Sequence, residues 1–225
     1  MPEYTFSTVP VIVGAHTGVN PSQAEVEATP TLRRASLEAA TLFGGPVVRA
    51  ALEQCPLQGV RPHILVDTKV TLLMPGWFPA IPGWHTDGVP RGKNRNPAGT
   101  GAPDLSAQTV EEGPRFHTIV LGLDNLTRFL RNPITLDIDH DTDRDLYKEV
   151  SHKVNAQLGA LKDPFVPHTT GQWLSWGHWN LHSATPSAGR GWRLLVRVTE
   201  SDVPPSDTGF LRSQNQVYVP IEVGW

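Results

Sequence analysis

The tripeptide His85-Thr86-Asp87 sets an imidazole and a carboxylate two residues apart. On an extended segment both project from one side, where they can occupy adjacent positions on a single metal ion. Chance alone supplies about one such tripeptide in a chain with 9 histidines and 22 acids, so the pair carries no weight by itself. Its weight comes from what lies downstream. His182, in Trp179-Asn-Leu-His-Ser-Ala-Thr-Pro186, stands 95 residues after Asp87 and would complete a two-histidine, one-carboxylate set that leaves coordination positions open for reactants. Arg190–Thr199 then reads as a strand with Arg193, Leu195 and Arg197 on one face and Trp192, Leu194, Val196 and Val198 on the other. An arginine pointing inward from such a strand needs an anion.

This ordered set resembles the iron(II)/2-oxoglutarate-dependent dioxygenases, a branch of the double-stranded β-helix (jelly roll, cupin-like) folds. In that family an HxD pair lies on or after an early strand. A lone histidine comes near the end, followed within about fifteen residues by the basic residue that holds the co-substrate. The corresponding residues here are His85, Asp87, His182 and Arg193, which is 11 positions after His182, with Arg197 at 15 positions as a second candidate. The resemblance implies iron(II) held by His85, Asp87 and His182, 2-oxoglutarate with its distal carboxylate on Arg193, and O2 as oxidant. It implies hydroxylation of a C–H bond as the outcome, with release of succinate and CO2. Thr127 is a candidate hydroxyl donor to the co-substrate.

Other residues admit competing readings. His178, four positions before His182, is an alternative ligand, a substrate contact or a packed histidine. Trp84 and Trp173 flank the ligand segments and read either as walls of a substrate pocket or as core filling. Arg91, in the Gly/Pro-rich loop Arg91–Arg95, is a candidate contact for an anionic substrate. His117 and His168 sit beside no motif and read as structural. The acidic run Asp137–Asp145 lacks the Gly turn and terminal Glu of a calcium loop and reads as a solvated helix entry.

The elements that must position these residues are short. Pro and Gly, 41 of 225 residues, fall between β-rich runs. Strands are expected at Val9–Val13, His63–Leu73, Phe116–Leu121, Thr127–Leu130, Ile134–Ile138, Gln172–Trp176, Trp179–Leu181, Trp192–Val198 and Gln216–Val219. Helical periodicity marks Thr31–Phe43, ended by Gly44-Gly45-Pro46, then Pro46–Gln54 and Asp143–Leu161. The expected fold is mainly β (α+β), a double-stranded β-helix with peripheral helices. It forms a single domain over 1–225, with an N-terminal helical accessory layer at 1–59, an oxygenase core at 60–200 and a C-terminal extension at 201–225.

Composition narrows the class. The apolar fraction of 39% and net charge of −3 suit a folded domain rather than a disordered chain. The single Cys55 forms no internal disulfide, no targeting segment is evident, and no apolar run reaches about 18 residues, so a cytoplasmic protein without a membrane partner is expected. With 19 basic against 22 acidic residues the charge balance favours a small-molecule substrate over nucleic acid. A base in a nucleotide or nucleic acid remains the alternative substrate, and a non-catalytic jelly-roll binding module the alternative function. Oligomeric state is left open.

Overall fold

The computed structural model of the chain describes residues 2–88, 104–105, 113–138, 146–204, 210–213 and 218–220. Its largest element is a six-stranded antiparallel sheet in the order β2 (Ile12–His16), β9 (Gln172–Gly177), β6 (Arg115–Gly122), β11 (Gly191–Ser201), β5 (His63–Leu73) and β4 (Ala35–Ser36). The mainly β expectation holds. Strand β11 is central because it pairs along its length with β5 on one side and with β6 on the other. Leu194, Val196 and Val198 are fully buried on the face covered by α2 (Leu37–Phe43) and α3 (Gly45–Leu52). Each such aliphatic side chain contributes about 1.5–3 kcal/mol when removed from water.

The other face of the sheet carries the charged side chains of the candidate site. Register sets Arg193, Leu195 and Arg197 of β11 opposite Thr71, Lys69 and Asp67 of β5, and opposite Gly122, Val120 and Thr118 of β6. Directly paired residues share a face, so these side chains are neighbours. Above them lies a second, more fragmentary layer. In it β10 (His182–Ser183) pairs with β7 (Arg128–Phe129), an isolated bridge joins His85 to His182, and another joins Leu130 to Phe165. Phe116, Phe129, Leu174 and Trp176 fill the space between the layers. Outside the second layer, α4 (Leu146–Leu158) buries Val150 and Val154 against Phe6, Trp84, Trp179 and Leu181.

The N-terminal region differs from the helical accessory layer expected at 1–59. β1 (Glu3–Phe6) pairs with β8 (Ile134–Asp137), and β2 extends the large sheet, so this region supplies strands to both layers. The helix expected over Thr31–Phe43 begins only at Leu37. Before it come β3 (Leu32–Arg33) and β4, because β5 captures the backbone: Leu32 N–H donates to Thr68 Oγ1 at 2.7 Å and Arg34 N–H to Asp67 Oδ1 at 3.0 Å. Ser36 then caps α2 by accepting from Ala39 N–H. A short helix not anticipated, α1 (Gln23–Glu27), carries a capping box between Ser22 and Glu25. Residues 179–181, expected as a strand, form a turn that leads into β10. In the C-terminal extension, β12 (Phe210–Ser213) pairs with β3 and with β13 (Tyr218–Pro220), which ties this segment to the N-terminal layer. Most of the acidic run, 139–145, and with it the expected start of the helix over Asp143–Leu161, lies outside the described residues; Asp137 forms an ion pair with Lys153 at 3.2 Å. Among the described residues no helix is long and apolar enough to cross a membrane.

One buried polar triad fastens β6, β9 and β11. His117 Nδ1 is 2.8 Å from Ser175 Oγ and its Nε2 is 2.8 Å from Glu200 Oε1, while Glu200 also accepts from the Gln58 and Gly59 N–H groups. Burial holds the His117 imidazole below its ordinary 6.5 despite the nearby carboxylate. The Glu200 carboxyl, which burial would raise, is held below its usual range by those donors. Both groups therefore bind protons less readily folded than unfolded, so their contribution is present above the unfolded pKa values and lost as pH falls. Urea unfolding should show stability declining below about pH 6.5, where the unfolded histidine protonates first, with a further loss below the carboxyl range. At pH 7.5 Glu200→Ala should cost about 3 kcal/mol; it should steepen the decline below about pH 6.5, because the carboxylate is what opposes the lowering of His117, and remove the further loss in the carboxyl range.

Candidate metal centre

The sequence brings its three chemical candidates together. One ligand atom from each of His85, Asp87 and His182 lies within 4.8 Å of the others, and this is the one such group of potential metal ligands among the described residues. The two histidines face each other through an antiparallel bridge in which His85 N–H donates to His182 O at 3.1 Å and His182 N–H to His85 O at 3.0 Å. Their rings lie 4.4 Å apart. Each ring is oriented by a carbonyl two residues upstream: His85 Nδ1 meets Gly83 O at 3.0 Å and His182 Nδ1 meets Asn180 O at 3.1 Å. As Nδ1–H donors, both imidazoles present an unprotonated Nε2, the tautomer a metal requires.

Protonation states agree with that role. Burial pushes His182 down to about 4, so its ring is neutral at pH 7 and its 3.7 Å approach to Asp87 Oδ2 is a convergence of ligand atoms rather than an ion pair. Burial would raise the Asp87 carboxyl, but His182, Arg197 and His85 together hold it below the usual carboxylate range. A carboxylate and two imidazole nitrogens form a donor set suited to a divalent first-row metal. The chain leaves this site sharply. Gly88 has φ +75°, and a Cβ there would lie 2.5 Å from Pro114 Cγ, so only glycine lets the backbone turn away directly after Asp87.

Arg197 sits behind the carboxylate. Its Nη1 donates to Asp87 Oδ2 at 2.8 Å and its Nη2 to Asp67 Oδ2 at 3.1 Å, while its guanidinium carbon lies 5.6 Å from the centre of the Phe116 ring. The structure therefore engages Arg197 with a ligand carboxylate. Arg193, two positions along the same face of β11, is 1% exposed and donates Nε–H to Asn125 O at 2.7 Å. Burial pushes it down to about 10, which leaves it charged at neutral pH. A cavity of 140 Å³ opens over the three ligands and is also lined by Lys69, Thr127, Arg193 and Arg197. Lys69 is a member the sequence reading missed. Its signal was the charged pair Asp67 and Lys69 at alternate positions of a strand rich in aliphatic residues, which places both on one face.

The remaining candidates lie elsewhere. Trp84 donates its indole N–H to Asn155 Oδ1 at 3.0 Å and stacks on Phe165 in the core beneath α4. Trp173 is buried on the far face of the large sheet, with its indole N–H on Ala51 O at 3.2 Å. His178 is 2% exposed and lines a separate cavity beside Arg61 and Arg115. Arg91 and the Arg91–Arg95 loop lie outside the described residues. The tryptophan that does face the ligands is Trp176, whose ring centre is 4.6 Å from that of His182.

Cobalt(II) titration followed by visible absorption tests the site without any assumption about turnover. Asp87→Ala should abolish stoichiometric binding. Arg197→Lys keeps the charge but loses the planar fork that spans two carboxylates, and should weaken binding by about 10–100-fold.

No protein-family model matches this chain, and no curated protein or solved structure does either, so its functional reading stands on the geometry of this site.

Proposed function

We propose that the chain is a non-haem iron(II)/2-oxoglutarate-dependent oxygenase that hydroxylates a C–H bond of a small molecule and releases succinate and CO2. The observation that carries this reading is a two-histidine, one-carboxylate cluster opening onto a small cavity with a buried cation on its wall. The cavity fits the co-substrate in charge as well as size. With Arg197 engaged by Asp67 and Asp87, Lys69 and Arg193 are the cations left on its lining, a pair that a small dicarboxylate offsets. Burial lowers the pKa of Lys69, and the Arg193 charge lowers it further, as expected for neighbouring cations that await a shared anion.

The double-stranded β-helix reading is supported by the strand order. The antiparallel succession β9, β6, β11, β5 in one layer faces the succession 165, β7, β10, 85 in the other, and the chain crosses between layers at each step except from β7 to 165. That alternation brings a ligand pair early in the core and a ligand late in it to adjacent strands.

Iron(II), when bound, supplies activation of O2 coupled to oxidative decarboxylation of 2-oxoglutarate, which sends one oxygen atom to the substrate C–H bond and the other to succinate. The chain's own residues do the rest. His85, Asp87 and His182 would hold the metal, and the cavity opens over all three. Arg193 pairs with the distal carboxylate, with the Thr127 hydroxyl and Lys69 ammonium on the same wall. Phe129 and Trp176 line the cavity with apolar rings and restrict water around the reacting atoms. The base-directed alternative draws less support, since Trp84, Trp173 and Trp179 are each buried in a core.

Anaerobic addition of iron(II) and 2-oxoglutarate should produce a weak visible charge-transfer band, and admission of O2 should release succinate. Arg193→Leu should raise the 2-oxoglutarate concentration for half-development of the band by roughly thirtyfold or more, reflecting the ~2–5 kcal/mol of a truncated buried charge pair. Stoichiometric metal binding with neither band nor succinate would identify a metal-binding module without this chemistry.

A further inference from the structure

A second cavity, of 290 Å³, borders the same Asp87–Arg197 pair. Asp87 and Arg197 line both cavities, so the two spaces meet at a candidate metal ligand. The charged groups of the second cavity are almost all accounted for. Asp67 accepts from Arg34 N–H with Oδ1 and from Arg197 with Oδ2, and Arg197 spans Asp67 and Asp87. The exception is the guanidinium of Arg34, which lines the cavity and has no anionic partner among the described residues.

Arg34 is also held in an uncommon backbone conformation. Its φ is +52°, a region that costs a bulky L-residue about 1–2 kcal/mol, and the Asp67 hydrogen bond to its N–H secures it there. The remaining walls are apolar at Leu65, Phe116 and Val203, with hydroxyls at Thr199 and Ser201. Val203, on this lining, is 71% exposed, so an occupant with an apolar body would cover it. At about 30 Å³ per water, the cavity holds the equivalent of roughly ten water molecules, which bounds the occupant to a small molecule.

We infer that this cavity receives the oxidisable substrate and that the substrate is a small monocarboxylate with an apolar body, its carboxylate on Arg34 and its hydrocarbon part along Leu65 and Phe116 towards the metal ligands. The inference rests on the oxygenase reading for the identity of the metal neighbour, but the anion preference of the cavity stands without it. One guanidinium without a partner suits one carboxylate. A phosphodiester chain would call for several cations, and the cavity offers no second unpaired one among the described residues.

The probes are 4-methylpentanoate and its uncharged primary amide, with binding measured by proton NMR on the metal-free protein and again on protein loaded with manganese(II) and 2-oxoglutarate. The carboxylate should bind at least about tenfold more tightly than the amide in both states, and Arg34→Ala should erase that preference while Arg34→Lys restores part of it. In the manganese-loaded protein, paramagnetic broadening should be strongest for the methyl protons and weakest for those next to the carboxylate. Equal affinity for acid and amide, an Arg34→Ala protein that retains the preference, or strongest broadening at the carboxylate end would each overturn the inference. Loss of broadening through failure of the protein to take up manganese, with the acid preference and its Arg34 dependence intact, would instead strike at the oxygenase reading and leave the carboxylate site standing.

Discussion

The antiparallel bridge between His85 and His182 is the contact on which the site depends. A metal centre built from residues 97 positions apart in sequence must hold its donor atoms within a few tenths of an ångström, and flexible side chains on independent loops cannot do that. Here the two backbones exchange both hydrogen bonds, so the separation and direction of the two Cα–Cβ bonds are set by main-chain geometry before any side chain is considered. The carbonyls of Gly83 and Asn180 then remove the remaining rotational freedom of the rings and select the tautomer. Asp87 is brought in by chain continuity, two residues beyond His85 on the same extended segment. Phe129, paired with His182 on its other side, prevents β10 from shifting without breaking a second ladder.

The large sheet has to satisfy opposing demands on its two faces. Towards the helices β11 offers Leu194, Val196 and Val198, which are fully buried and apolar. Towards the ligands it offers Arg193 and Arg197, two cations on one strand in a partly desolvated space. Burying them is unfavourable unless anions or dipoles compensate. The compensation is unequal. Arg197 receives two carboxylates, whereas Arg193 receives one carbonyl oxygen from Asn125. Among the described residues the Arg193 guanidinium meets a backbone carbonyl and no carboxylate. That asymmetry separates a residue held for positioning from one held for a ligand, although both lie on the same face of the same strand.

Much of this was legible in the sequence, and the reasons are particular. His85, Asp87 and His182 were found because type and order carry the signal, and strand alternation alone placed Arg193 and Arg197 on one face. Long strands with β-branched periodicity, such as β5 and β11, were recognisable for the same reason. The partition of roles between the two arginines was not, because it is set by Asp67, whose position opposite Arg197 is a matter of cross-strand register. The helix expected over 31–43 shows the same limit. Its apolar spacing is helical, yet Thr68 and Asp67, more than thirty residues downstream, take the N–H groups of Leu32 and Arg34 and hold that half of the segment as strand. Trp84 and Trp173 were ambiguous for a related reason: an aromatic residue next to a ligand segment lines the site or fills a core according to which side of the sheet it faces, and adjacent positions in a strand face opposite sides.

The same register makes the two cavities mechanically dependent. Arg34 N–H, Asp67, Arg197 and Asp87 form a continuous hydrogen-bonded chain from the cavity lining to a candidate metal ligand, with every link between 2.8 and 3.1 Å. A bidentate guanidinium cannot move relative to one carboxylate without disturbing the other. Displacement at Asp67 is therefore transmitted to the orientation of Asp87, and a carboxylate that shifts at the metal changes what the neighbouring coordination positions can accept. An anion engaging the Arg34 side chain acts at the residue whose own backbone anchors the far end of this chain. Occupancy of one cavity is thus linked by rigid contacts to the geometry of the other, with no moving domain required. It is also a reason for the strained conformation of Arg34 to persist: a residue with φ < 0 at this position would direct its N–H elsewhere and leave Asp67 with one fewer donor to fix it.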